Sequence, residues 1–151
     1  NDEANVFYNI SYSGIDLSGN RYLLKSKIAK TSLEDDEIID MTEVEAVFYF
    51  KDNTKLNVSS KFGQYNNKTL DMIFKKSVKA DYQKSALFAE EAKYSNSQSL
   101  LTISDKVRVK DSRGNLKADK LSFDLKNQTL NISSFKNNNI KAKVNLNEKR
   151  F

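Results

Sequence analysis

The sequence predicts an all-β fold: a twisted antiparallel β-jellyroll of two facing sheets, built from repeated strand-turn-strand units. Three observations predict it. First, the chain repeats itself. Leu87, Ala89, Ala92 and Tyr94 are echoed 29 residues earlier by Val58, Ser60, Gly63 and Tyr65, and 29 residues later by Leu116, Ala118, Leu121 and Phe123. A fixed period of this size marks units that cannot bury their apolar faces alone and must stack. Second, apolar and polar residues alternate inside each copy, the period of a strand with one wet face. Third, there is no Pro and only four Gly, so the breaks between copies are made of Asn, Asp and Ser, the residues of tight polar turns. A parallel solenoid would share the period but calls for shorter turn spacing and more Gly, so two antiparallel sheets are expected.

The alternation slips by one between Ser60 and Gly63, between Ala89 and Ala92, and between Ala118 and Leu121. An unbroken strand would turn half of its apolar residues outward there, so each slip predicts a built-in bulge or bend.

Taken in order, residues 1–12 are polar and then alternating, with Val6, Tyr8, Ile10 and Tyr12 expected on one face of an edge strand. Gly14 and the run Asp16-Leu-Ser-Gly19-Asn20 make turns, with Gly19 at positive φ. Residues 22–29 are the next strand. Residues 32–40 carry Glu34, Asp35, Asp36 and Glu37 and read as a solvated loop. Val44, Ala46, Phe48 and Phe50 share one face of a strong strand. Asp52-Asn53 turns it into residues 56–65, and Asn66-Asn67 turns that into residues 70–74. The unit at 87–109 follows, with Leu101 and Ile103 in its returning strand. Asp111-Ser-Arg-Gly114-Asn115 is the clearest hairpin signal. Leu116 to Leu125 repeats the unit, Leu130 and Ile132 return, and Asn137-Asn138-Asn139 leads into a last strand over 140–146.

At 151 residues the chain is expected to be one domain, 1–151, with flexible ends at about 1–5 and 147–151. The absence of Cys removes disulfides and thiolate nucleophiles. The absence of His removes the commonest general base and metal ligand, so no enzyme and no cofactor is expected. A net charge of +5 is moderate and interleaved along the strands, which excludes the basic block of a nucleic-acid binder. The chain opens on Asn1-Asp-Glu without Met, and is read as the soluble part of a longer precursor.

The candidate inward set is Val44, Ala46, Phe48, Phe50, Leu56, Val58, Phe62, Leu70, Met72, Phe74, Leu87, Ala89, Leu101, Ile103, Leu116, Ala118, Leu130 and Ile132. Taken alone, such a set is the core of a β-sandwich. Small residues at Ser60, Ala89 and Ala118 recur at one level of the stack; they leave room for a ligand or fit a bend. The lysines at 75, 76 and 79, and at 25, 27 and 30, fit a solvated edge that resists aggregation. Glu90 and Glu91 are expected on opposite faces, which excludes a carboxylate pair acting across one bond.

The Gly-Ile-Asp-Leu-Ser-Gly-Asn-Arg-Tyr stretch over 14–22, running on to Ser26, resembles the LptC family of lipopolysaccharide export. So do the Val-x-Ala-x-Phe-x-Phe-x-Asp run over 44–52, the Leu-x-Ala-x-x-Ala-x-Tyr unit over 87–94, and the tail with Ile140, Ala142 and Val144. The resemblance covers residues 6–146. A long lead into the first repeat and a truncated last strand favour LptC over its sister LptA, whereas Ser26 and Ser60 stand where small Ala is usual. The resemblance implies a periplasmic module whose interior holds acyl chains of lipopolysaccharide. It implies lipid contact from Phe48, Phe50, Val58, Phe62, Leu70, Met72, Phe74, Leu87, Ala89, Leu101, Ile103, Leu116, Ala118, Leu130 and Ile132. It also implies an inner-membrane ABC exporter jellyroll at the N-terminal end, an LptA-like protein at the C-terminal edge, and an inner-membrane anchor supplied by a helix outside this chain. The partner-facing residues would be Val6, Tyr8, Ile10, Tyr12 and Gly19 at one end and Ile140, Ala142, Val144 and Leu146 at the other. Burying one methylene is worth ~0.8 kcal/mol, and an exposed Lys–phosphate pair only ~0–1 kcal/mol, so an apolar interior would dominate such binding. A structural β-repeat scaffold that stacks and binds no lipid is the competing function class.

Overall fold

The computed structural model describes residues 4–32, 34–133 and 141–145. Ten strands lie among them: β1 (Ala4–Ile15), β2 (Arg21–Ser32), β3 (Ile38–Tyr49), β4 (Lys55–Asn66), β5 (Met72–Tyr82), β6 (Ser85–Ser95), β7 (Leu100–Asp111), β8 (Gly114–Asp124), β9 (Thr129–Ser133) and β10 (Lys141–Asn145). They form one antiparallel sheet in strict chain order, β1 to β10. Each strand pairs with the next, so the described strands form an unbroken meander. Two separate facing sheets were expected; there is one continuous sheet instead, and its inner face packs on itself.

The reason is a crease that crosses every strand from β1 to β8. Leu24 and Ser26 face the core, and the next core residue is Ala29, three on. The same three-residue step separates Met41 from Val44, Ser60 from Gly63, and Ala89 from Ala92. The register breaks on this line between β4 and β5, β5 and β6, β6 and β7, and β7 and β8. In the odd-numbered strands the bend uses left-handed backbone: Asn9 (φ 55), Glu43 (φ 56), Lys76 (φ 72), Ser77 (φ 54), Asp105 (φ 72) and Lys106 (φ 58). Each costs roughly 1–2 kcal/mol of local strain, and all six are solvent-exposed, where no core packing is disturbed. The predicted slips in β4, β6 and β8 therefore mark one line that runs across the sheet.

The crease divides the sheet into two walls. The upper wall holds 10–15, 21–26, 44–49, 55–60, 78–82, 85–89, 107–111 and 114–118. The lower wall holds 4–8, 28–32, 38–42, 62–66, 72–75, 91–95, 100–104 and 120–124, with β9 and β10. Ring contacts join the walls: Phe48 to Tyr94 at 4.8 Å, Tyr12 to Tyr65 at 4.9 Å, Tyr82 to Phe123 at 5.3 Å. Large buried aromatics are each worth about 1.5–3 kcal/mol in burial, and aromatic pairs add to that, so this interior is the core of the domain.

The crease corrects several expectations. Asn9 switches the parity of β1. Ile10 and Tyr12 pack half-buried on the core, while Val6 and Tyr8 turn to the outer side and are exposed. Phe62 falls inside the slip between Ser60 and Gly63, pairs with Lys75 and is 41% exposed, so it is not an inward residue. The slip in β6 also turns both Glu90 and Glu91 away from the core. Leu70 lies in the turn before β5 at positive φ and packs only partly on the core. The loop at 34–37 is solvated as expected, and β3 begins at Ile38. Ile140 and Leu146 lie outside the described residues.

Candidate functional site

The interior between the walls is apolar and closely filled. Phe48, Phe74, Leu101 and Leu24 are 0% exposed, and Met72, Leu87, Val58 and Ile103 are equally enclosed. Of the residues expected to line it, Phe48, Phe50, Val58, Met72, Phe74, Leu87, Ala89, Leu101, Ile103 and Leu130 are buried there, and Ala118 and Ile132 pack at its margin. Leu116 is the instructive exception. It pairs with the buried Val109 and so shares the inner face, yet it is 43% exposed. Among the described residues β9 pairs with 120–124 of β8, and none pairs with 114–118 on the side away from β7. A cleft of about 210 Å³ opens there between Val109 and Leu116 above and Leu130 and Ile132 below. Leu116 is thus on the inner face, as expected of the inward set, but it stands exposed beside this cleft rather than packed in the core.

The small residues beside the crease behave unequally. Gly63 is a steric necessity: a Cβ there would sit 2.8 Å from the Ile73 carbonyl oxygen and 3.1 Å from Val44. Ser60 donates its hydroxyl to the Phe62 carbonyl at 2.7 Å, which satisfies a backbone group freed by the slip. The Ser26 hydroxyl is buried and has no hydrogen-bond partner among the described residues.

Opposite the crease, the tips of the hairpin turns meet and latch the walls along a mouth. Gln128 in the β8–β9 turn donates to the Tyr82 hydroxyl at 2.7 Å, to Thr54 Oγ1 at 3.2 Å and to Asp52 at 3.4 Å, all in the upper wall or its turns. Ser18 and Ser99 meet hydroxyl to hydroxyl at 3.2 Å, and the Asn20 amide donates to the Leu125 carbonyl at 3.4 Å. The β1–β2 turn is itself rigid. Asp16 Oδ1 accepts from the Ser18 N–H at 2.9 Å and the Asn20 N–H at 2.8 Å, and Gly19 takes φ 83 as expected. That is the physical content of the Asp-Leu-Ser-Gly-Asn stretch: an aspartate-capped turn that aims Ser18 and Asn20 across the mouth. Ser18, Ser99 and Gln128 carried no signal in sequence, because each latch joins residues at least 46 positions apart.

Electrostatics inside the walls are those of neutral hydroxyls. Burial pushes the tyrosine phenols of 12, 65, 82 and 94 above their ordinary value; for Tyr65 the bond to Tyr22 adds to it. At the turns, hydrogen bonds from Thr54 and from Arg113 hold the carboxyls of Asp52 and Asp111 below theirs. Among the described residues no group of three or more His, Cys, Asp or Glu converges to hold a metal. No helix among them is long and apolar enough to cross a membrane.

No curated protein matched the sequence. The family model for lipopolysaccharide assembly, LptC-related, matches residues 4–141, which spans the whole creased sheet up to the start of β10. Members of that family are non-catalytic components of periplasmic lipopolysaccharide export, and this chain belongs to it.

Proposed function

We propose that this domain binds lipopolysaccharide by admitting its acyl chains between the two walls, and hands it from the exporter side to an LptA-like protein. The observation that carries the reading is the mouth. The walls are one sheet on the crease side, but opposite the crease they are held at their turn tips by a few hydrogen bonds, the neutral ones each worth only about 0.5–1.5 kcal/mol. Ten buried methylenes would supply roughly 8 kcal/mol, enough to exchange those latches and part of the aromatic packing for lipid. Leu116, Val109, Leu130 and Ile132 at the open end give the chains a first apolar contact.

The partners follow from the edges. In the described sheet β1 pairs only with β2, and Val6, Phe7 and Tyr8 are exposed on it, which suits docking of the exporter's jellyroll. β10 pairs only with β9 in the described sheet, and its outer edge suits strand addition by the LptA-like protein. An inner-membrane anchor preceding the domain would hold it beside the exporter. The scaffold reading keeps one observation in its favour, the completeness of the packing around Phe48 and Phe74.

The chain has no cysteine, so Ser18→Cys with Ser99→Cys creates a single possible disulfide across the mouth, at hydroxyls 3.2 Å apart. Wild type should bind a lipid A analogue in a photocrosslinking assay. The oxidised pair should lose that binding and regain it on reduction. No binding by wild type establishes the scaffold reading; undiminished binding by the oxidised pair places the acyl chains outside the walls.

A further inference from the structure

The outer face of the upper wall carries a cationic cluster that the interior does not explain. Phe88 of β6 points away from the core. Three cations lie over its ring: Arg108 at 5.5 Å, Lys110 at 5.7 Å and Lys79 at 5.9 Å from the centroid. The register places Lys79, Phe88, Arg108 and Lys117 in one cross-strand row over β5 to β8, with Lys110 in the next row. Arg108 and Lys117 are directly opposed, a like-charge pairing that weakens a sheet. The compensation inside the protein is thin. Lys79 has Asp81 at 3.9 Å, whereas Arg108, Lys110 and Lys117 make no ion pair among the described residues. Glu90 and Asp119 face the cluster from the crease rim, and with them this face lines a shallow depression of about 1070 Å³. All four cations are exposed and Phe88 is half-buried.

We propose that this face is a docking surface for an anionic phospholipid bilayer. The occupant is argued from charge and shape. The cations stand on three of four neighbouring strands spaced ~5 Å apart, with Phe88 on the fourth, a broad array rather than a closed pocket. Three of the four are lysines, flexible point charges that suit a mobile field of headgroup phosphates better than fixed carboxylates on a protein. Phe88 in their midst supplies an apolar ring at interfacial depth. Docked this way, the sheet lies with its upper wall on the membrane, and the interior, which opens at the turns and at Leu116, stays clear of it. The inference does not depend on what the interior binds.

The test is flotation of the domain with phosphatidylcholine vesicles, with and without phosphatidylglycerol. Wild type should float only with the anionic vesicles and be released when salt shortens the Debye length to ~3 Å. Each cation at such a surface is worth about five-fold in partitioning, so Arg108→Glu with Lys117→Glu should lower it by roughly 30-fold or more. Lys30→Glu with Lys68→Glu, on the lower wall and its turn, makes the same change in net charge and should lower it far less. Circular dichroism of each variant checks the fold. The proposal fails if wild type does not float, if the 108/117 variant floats as wild type, or if both variants lose equally, which would make the attraction a net-charge effect. It also fails if inorganic phosphate alone gives saturable shifts at the Phe88 amide while vesicles give none, which would mark a site for a soluble anion.

Discussion

The hydroxyl of Tyr22 lies 3.0 Å from that of Tyr65, one reaching down from the upper wall and the other up from the lower. Both side chains are 2% exposed, so each hydroxyl is the other's substitute for water. The bond ties strands whose sequence separation is 43 residues and fixes how far apart the walls stand at this level. Tyr94 packs edge-on to Tyr22 at 6.4 Å, and Tyr12 lies against Tyr65, so four tyrosines form one aromatic level of the core.

Tyr22→Phe should therefore destabilise the domain by about 1–3 kcal/mol, because it strands the Tyr65 hydroxyl in an apolar interior. Adding Tyr65→Phe should recover part of that loss, since two apolar rings leave nothing unsatisfied. Urea unfolding of the two singles and the double measures the coupling; strict additivity would deny it.

Alkaline stability follows from the same level of the core. An unfolded tyrosine ionises near 10.0, and burial holds Tyr65 and Tyr94 well above that. Above pH 10 the unfolded chain gives up protons that the folded chain keeps. The stabilisation is whole below pH 10 and is lost as pH rises from there through the folded values, by up to ~1.4 kcal/mol per pH unit for each such phenol. Chemical unfolding measured at rising pH should show this fall, and Tyr65→Phe should make it shallower. A stability flat to strong alkali would contradict the burial of these hydroxyls.

Ser26→Ala should stabilise the protein by about 1 kcal/mol. The hydroxyl it removes is buried without a partner among the described residues, and the methyl that remains fits the same place. A higher midpoint in urea at an unchanged slope is the expected result; a lower midpoint would mean that the hydroxyl has a partner in solution.

Gly63→Ala should cost about 1–3 kcal/mol, although Ala occupies the equivalent place at residue 92. The added methyl meets the backbone carbonyl of Ile73, which cannot swing aside without breaking the ladder at the crease. Thermal unfolding decides it. Equal stability would mean that the bend relaxes freely.

Core and open end should separate cleanly under substitution. Phe48→Ala removes a fully enclosed ring and should cost ~3–5 kcal/mol in stability. An aspartate at Phe48 or Leu101 would bury a charge and report on folding instead of lipid contact. Leu116→Ser, at an exposed edge, should change stability by less than about 1 kcal/mol. It should nevertheless weaken crosslinking to a lipid A analogue if acyl chains enter at that end. Unchanged crosslinking would remove Leu116 from the path.

By itself, the sequence determined the antiparallel all-β class, most of the strands and part of the buried set. Alternation of period two is a local property, and the 29-residue repeat supplies it again for each unit, so Leu87, Leu101 and Leu130 could be placed inward from their neighbours alone. The slips at Ser60, Ala89 and Ala118 were legible for the same reason. The matching bends in the odd strands were not, because Glu43, Lys76, Ser77 and Lys106 are ordinary polar residues whose left-handed backbone is imposed by the strands beside them. Only the tertiary structure decided what the slips add up to. One crease turns a single sheet into two walls and puts Phe62 outside. Only it decided that Leu116 is exposed beside a cleft while Val109, its partner across the ladder, is buried. And only it brought Gln128 to Tyr82 and Ser18 to Ser99, contacts between turns that share no local pattern. Such contacts are selected by how the walls close, a property of the whole sheet that no single stretch of chain encodes.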